Sequence, residues 1–292
     1  MNATTTSFNS MTNIYCVAVD GSESSEHAFN LVLNELYKKG DRIYVVHITT
    51  NKKSTELPYD YQPETIRSKY DTKLSGHLIR SQYDVILTER HSNNDHALVQ
   101  VNEIAIAKKC TLLVIGFHGH KLSNTRSELT KGISYIINNI KLPSIVVKEN
   151  SSRKKKENNG FTWMSAIEDN SSKSFKAFQY SLNYVDSSKD RVVGVHVKVH
   201  DDEWASDVKN SFDSICDNKQ LSNFVFCAVE KPKGKNVENV LTDLVNFNEK
   251  ESFDFLILGH NSNKSGNFNP KSKAFPVGEV IKNSQANIFF FC

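Results

Sequence analysis

The sequence predicts an α/β protein of two tandem domains, each a mostly parallel five-stranded sheet flanked by helices. Three observations predict this. Asp41-Arg42-Ile43-Tyr44-Val45-Val46-His47-Ile48 recurs as Asp190-Arg191-Val192-Val193-Gly194-Val195-His196-Val197, an offset of 149 that also maps Asp20 to Asp169, Ala28 to Ala177, Phe29 to Phe178 and Leu33 to Leu182. Leu113-Val114-Ile115-Gly116 returns as Leu256-Ile257-Leu258-Gly259 at an offset of 143. A period of this length means two similar domains, not a solenoid of short units. Within each copy, short apolar runs alternate with helical patterns, and that order demands crossover helices and parallel strands.

The elements follow in order. Residues 1–13 are rich in Thr, Ser and Asn, lack the apolar core of a secretory signal and read as a flexible leader. Domain 1 covers 14–148. Ile14–Val19 is a buried strand, and Ser24 is the expected N-cap of a helix to about Lys38 with Ala28, Leu31, Val32 and Leu36 on one face. Gly40 ends it. Strands follow at 43–48, 83–88, 112–115 and 144–147, with helices at about 64–80, 95–110 and 130–140. Residues 148–160, KENSSRKKKENNG, hold no apolar side chain and read as a solvated linker, assigned to 149–160. Domain 2 covers 161–292. Its expected strands are 162–167, 191–197, 224–229, 255–258 and 288–291, with helices at about 172–185, 203–218, 236–249 and 277–283.

Composition bounds the function. At 292 residues the chain suits two domains. A net charge of +3, with no basic stripe, gives no reason to expect nucleic acid as a partner. No apolar run approaches the roughly 20 residues that span a bilayer, so no membrane partner is expected. The five cysteines are widely spaced without a C-x-x-C, which argues against a disulfide framework and a zinc site and fits a cytoplasmic or nuclear compartment. The basic run Arg153 to Lys156 reads as a charged linker before it reads as a nuclear signal.

In an open parallel sheet, ligands bind beyond the carboxyl ends of the strands where strand order reverses. In domain 1 that edge offers Asp20-Gly21-Ser22, His47-Ile48 and Gly116-Phe117-His118-Gly119-His120. Two glycines three apart let the backbone approach a phosphate. A helix starting near Thr130 would aim its N–H groups there, and Lys131 would add a positive charge.

These residues carry a resemblance. Val17-Ala18-Val19-Asp20, Val46-His47-Ile48, Gly116-Phe117-His118-Gly119 and Pro143-Ser144-Ile145-Val146-Val147 resemble the pattern of the universal stress protein family. The resemblance implies Rossmann-like domains of the adenine nucleotide alpha hydrolase-like type. It also implies a site for ATP or a related adenine nucleotide, with Mg²⁺, formed by Ala18, Asp20, Ile48, Gly116, His118, Gly119, Thr130 and Lys131. The sequence departs from the pattern where the family has Gly-Ser before its last helix: here stand Thr130-Lys131, and Gly132 comes two positions late. Domain 2 departs further. It reads Glu168-Asp169 after its first strand and Gly259-His260-Asn261-Ser262 after its fourth, so the second glycine is missing. Nucleotide binding is therefore expected in domain 1 only.

Three functions compete: a nucleotide-sensing stress-response module, a ligand-free scaffold or protein-interaction module, and slow ATP hydrolysis. The last lacks a visible general base or acidic metal cluster. His118 and His120 lack a third metal ligand at useful spacing and read as loop residues. The family's habit of pairing last strands implies an intrachain pseudo-dimer with Val146 and Phe290 near the seam, to which a homo-oligomer or protein partner could add.

Overall fold

The computed structural model describes residues 12–49, 56–91, 96–118, 131–139, 142–148, 151–155, 159–167, 172–198, 202–230, 253–259, 280–281 and 284–291. The first half runs β1 (Ile14–Ala18), α1 (Glu23–Leu31), β2 (Arg42–Thr49), α2 (Pro63–Ser75), β3 (Tyr83–Glu89), α3 (Ala97–Ala107), β4 (Leu112–Gly116), α4 (Lys131–Asn139) and β5 (Ser144–Val147). The second half runs β6 (Thr162–Ile167), α5 (Lys173–Ser181), β7 (Arg191–Lys198), α6 (Asp202–Asn218), β8 (Phe224–Glu230), β9 (Phe255–Gly259) and β10 (Asn287–Phe291). The helix expected at 236–249 lies outside the described residues, as does most of that at 277–283.

The ten described strands form one sheet, ordered β3-β2-β1-β4-β5-β10-β9-β6-β7-β8. Every pairing within a half is parallel. The halves meet at one antiparallel seam, β5 against β10, where Val146 faces Ile288, Ile145 faces Phe289 and Ser144 faces Phe290. The expected meeting of last strands is observed, and Val146 and Phe290 both lie on the seam.

Parallel strands are buried on both faces and read as continuous apolar runs. Ile43 to Ile48 are buried without a break. Alternate side chains feed two cores. Tyr15, Val17, Ile43 and Val45 point into one, which continues through Phe161, Trp163, Phe255 and Phe289. Cys16, Tyr44, Val46 and Ile48 point into the other, which continues through Met164, Val193, Leu256 and Ile288. Each core therefore runs across both halves without interruption.

Several sequence expectations need correcting. The N-cap of α1 is Ser22, whose Oγ accepts from Ser25 N, and not Ser24. Either serine could cap, but Ser24 Oγ is turned toward β4 and β5 instead. The helix widens into a π turn over Val32–Leu36 and ends at Tyr37, before Gly40. Helix α2 stops at Ser75, five residues short of Arg80. The offset of 149 holds for β2 and β7 but not for the first strands: Ile14 pairs with Arg42, and Thr162 with Arg191. Asp169, matched to Asp20 on that offset, and Glu168 lie outside the described residues.

The largest correction concerns 149–160. Arg153 is buried, not solvated. Its Nε and Nη2 donate to the two oxygens of Asp190 at 2.7 and 2.6 Å, Nη1 donates to the Glu35 carbonyl, and its guanidinium lies 4.5 Å from the Phe161 ring centre. Burial opposes the charge, and the Asp190 carboxylate more than offsets it, so the Arg153 pKa stands above that of ordinary arginine. Glu35 belongs to the first half and Asp190 to the second, so the connection joins them. A buried Arg153 also removes one cation from the run considered as a nuclear signal.

Candidate functional site

Strand order reverses between β1 and β4, so the loops leaving their carboxyl ends diverge and open the sheet edge. The described loops there are stitched together by hydroxyls. Asp20 Oδ1 accepts from Ser22 N at 3.1 Å and Ser22 Oγ at 2.5 Å, and Asp20 N lies 3.3 Å from Ser25 Oγ. Across the reversal, His118 N donates to Ser24 Oγ at 3.2 Å. Phe117 N donates to Val147 O at 2.8 Å.

Ala18, Asp20, Gly116 and His118 are half-buried, and Ile48 is buried in the second core. Ala18 pairs with Val46 on one side and Ile115 on the other, which brings the ends of β1, β2 and β4 side by side. Gly119 and Thr130 lie outside the described residues. Of Lys131 only the backbone is described, as the first residue of α4. The structure thus brings together five of the eight expected site residues.

Gly116 has a packing role that the sequence did not reveal. A Cβ there would stand 2.5 Å from the Ser24 backbone carbon. The bare backbone lets the start of α1 rest on the end of β4. Gly259 does the same in the second half, where a Cβ would stand 2.3 Å from Ser174 N. Gly132 likewise packs, under the His96 ring that caps α3.

His47 and His196 also repeat. The Nδ1 of His47 is 2.8 Å from Val19 O, and that of His196 is 2.9 Å from Ile167 O. Each imidazole fixes the backbone leaving the central strand of its half, a structural role that the two share.

The loop that carries Asp20 is met by a turn that sequence reading missed. The turn Tyr59–Tyr61 sits against Gly21, whose φ of +83° is one that side chains rarely adopt. The signal was present: Asp20-Gly21-Ser22 places a glycine where the loop must be bare. Beyond it, Glu26 accepts from the Tyr70 hydroxyl at 3.2 Å and pairs with Lys69 at 2.7 Å and with Lys73. Burial pushes the Tyr70 pKa up to about 12. Among the described residues, no three His, Cys, Asp or Glu gather as metal ligands. No described helix is long and apolar enough to cross a membrane.

Comparisons with known proteins bear on the family and the fold. Residues 11–148 match the universal stress protein family. The crystal structure of a universal stress protein from Archaeoglobus fulgidus DSM 4304 superposes with a TM-score of 0.68 at 11% identity, covering 96% of this chain and 98% of that one. At that identity the likeness establishes the fold. A universal stress family protein from Burkholderia pseudomallei is 18% identical over 37% of this chain and 83% of its own, with a TM-score of 0.30. No curated protein matches the sequence.

Proposed function

From the premise that this chain belongs, through residues 11–148, to the universal stress protein family, we propose that it is a stress-response protein that binds an adenine nucleotide in its first half only. The observation that carries this reading is the reversal between β1 and β4, with Gly116 ending β4 and Asp20 and His118 on the adjoining loops. Gly119, Thr130 and Lys131 complete the proposed site, and Mg²⁺ would enter with the phosphates. Residues 14–148 and 161–292 are two units of one ancestry joined by 149–160, and the second is degenerate. It keeps Gly259, whose role is packing, and lacks the glycine that would face a phosphate.

The test is thermal unfolding with and without ATP–Mg²⁺, because a ligand that binds only the folded state stabilises it by about 2.7 kcal/mol at a hundredfold excess over Kd. An unchanged midpoint at millimolar ATP would overturn the reading. Calorimetric titration should give one site per chain.

A second reading, a ligand-free protein-interaction module, has one observation in its favour. Gly116 is accounted for by the Ser24 backbone alone, and Asp20 is engaged by Ser22. Under that reading ATP leaves the midpoint unmoved.

A further inference from the structure

The turn after β2 bears on what the site recognises. Gly21 carries no side chain, and a Cβ there would stand 2.6 Å from the Asp60 carbonyl oxygen and 2.9 Å from Cδ1 of Tyr61. The Tyr61 ring is therefore seated on the loop that carries Asp20. The turn that holds it is bonded to itself. Tyr61 N donates to Pro58 O at 2.9 Å, Gln62 N to Tyr59 O at 3.1 Å, and the Gln62 amide to Leu57 O at 3.3 Å. Pro63 opens α2 two residues later, with its φ fixed by its ring. Helix α2 is itself anchored to α1, since the Tyr70 ring meets Phe29 edge-on at 4.6 Å and Lys69 and Lys73 grip Glu26.

Tyr61 is half-buried, so part of its surface remains open to solvent beside Gly21. An aromatic ring already held in place loses little freedom when a planar group lies on it. Stacking on such a ring contributes to the binding of a base and contributes nothing to a phosphate chain.

We propose that Tyr61 is the aromatic contact for the base of the bound nucleotide, so that the site binds a nucleotide more tightly than a bare polyphosphate; this assignment rests on the nucleotide reading above. The hydroxyl is not needed for stacking, and the ring is. Tyr61→Phe therefore keeps the wild-type affinity for ATP–Mg²⁺. Tyr61→Ala weakens it by about tenfold or more, the range of one aromatic–base stack. The affinity for magnesium tripolyphosphate is the same in all three proteins.

Calorimetric titration of the full chain with each probe reads these affinities. The unfolding midpoint without ligand shows that each variant is folded, and Tyr61→Leu, which keeps the bulk against Gly21, replaces Tyr61→Ala if the latter is not. Undiminished ATP affinity in the aliphatic variant, beside a wild type that binds ATP, overturns the role of Tyr61 and leaves the site standing. An equal loss for tripolyphosphate also overturns it, because the ring would then only shape the loop. A wild type that binds no ATP overturns both.

Discussion

Arg153 holds both oxygens of the buried Asp190 carboxylate, with nitrogen–oxygen distances of 2.7 and 2.6 Å. Asp41, at the same place in the first half, is satisfied otherwise: it accepts from Asn13 N at 2.8 Å, Lys38 N at 2.9 Å and the Tyr15 hydroxyl at 3.2 Å. Asp190 also accepts from Phe161 N and Trp163 Nε1. Removing the guanidinium leaves a charge in the interior. Arg153→Met should cost about 3–5 kcal/mol in denaturant unfolding. Adding Asp190→Asn should cost less than the two single changes summed, because the orphaned charge is gone.

The seam gives a second expectation. Deleting residues 287–292 removes β10 from the middle of the sheet and leaves the edges of both β5 and β9 unpaired. Unpaired apolar edges are templates for other chains. Light scattering should show the truncated protein aggregating, whereas a soluble and cooperatively folding truncation would contradict the importance of the seam.

The glycines separate packing from ligand approach. Gly116→Ala and Gly259→Ala both force a methyl group against helix backbone and should each lose roughly 1–3 kcal/mol of stability, the usual cost of overpacking. Gly119→Val should instead leave stability nearly unchanged and abolish ATP binding. Stability curves of the three variants, with and without ATP, distinguish the two roles.

The buried tyrosines set an alkaline limit. The Tyr70 pKa is pushed by burial from 10.0 up to about 12, and those of Tyr15 and Tyr184 are also raised by burial. Between pH 10 and 12 the unfolded chain releases the Tyr70 proton and the folded chain keeps it. Stability is therefore intact below pH 10 and falls by about 1.4 kcal/mol per pH unit above it for each such tyrosine. Chemical denaturation at pH 8, 10 and 11 should trace this. A Tyr70→Phe protein should lose less.

The inner strands were legible because they are short runs buried on both faces, as Ile43 to Ile48 is, and such a run reads the same in sequence and structure. The helix ends were less so. Ser22 and Ser24 are chemically equal candidates for one cap, and only contact with β4 and β5 decides between them. Arg153 was illegible for a stronger reason: a cation in a polar stretch looks solvated unless its partner is known, and Asp190 is 37 residues away. In the candidate site, Asp20 and Gly116 could be found from their neighbours along the chain. Tyr61 could not, since the contact that marks it is with Gly21 across the edge.

Pairing Val146 with Ile288 has a consequence for how the protein is made. About 140 residues separate the two, so the first half emerges from the ribosome long before β10 exists. At ordinary synthesis rates the edge of β5 stands bare for roughly 10–30 seconds. A first half that folds during that interval carries an open apolar border at β5, and polysomes bring several such borders close together. Whatever shields Ser144–Val147 over those seconds governs the yield of native protein as much as the final stability does.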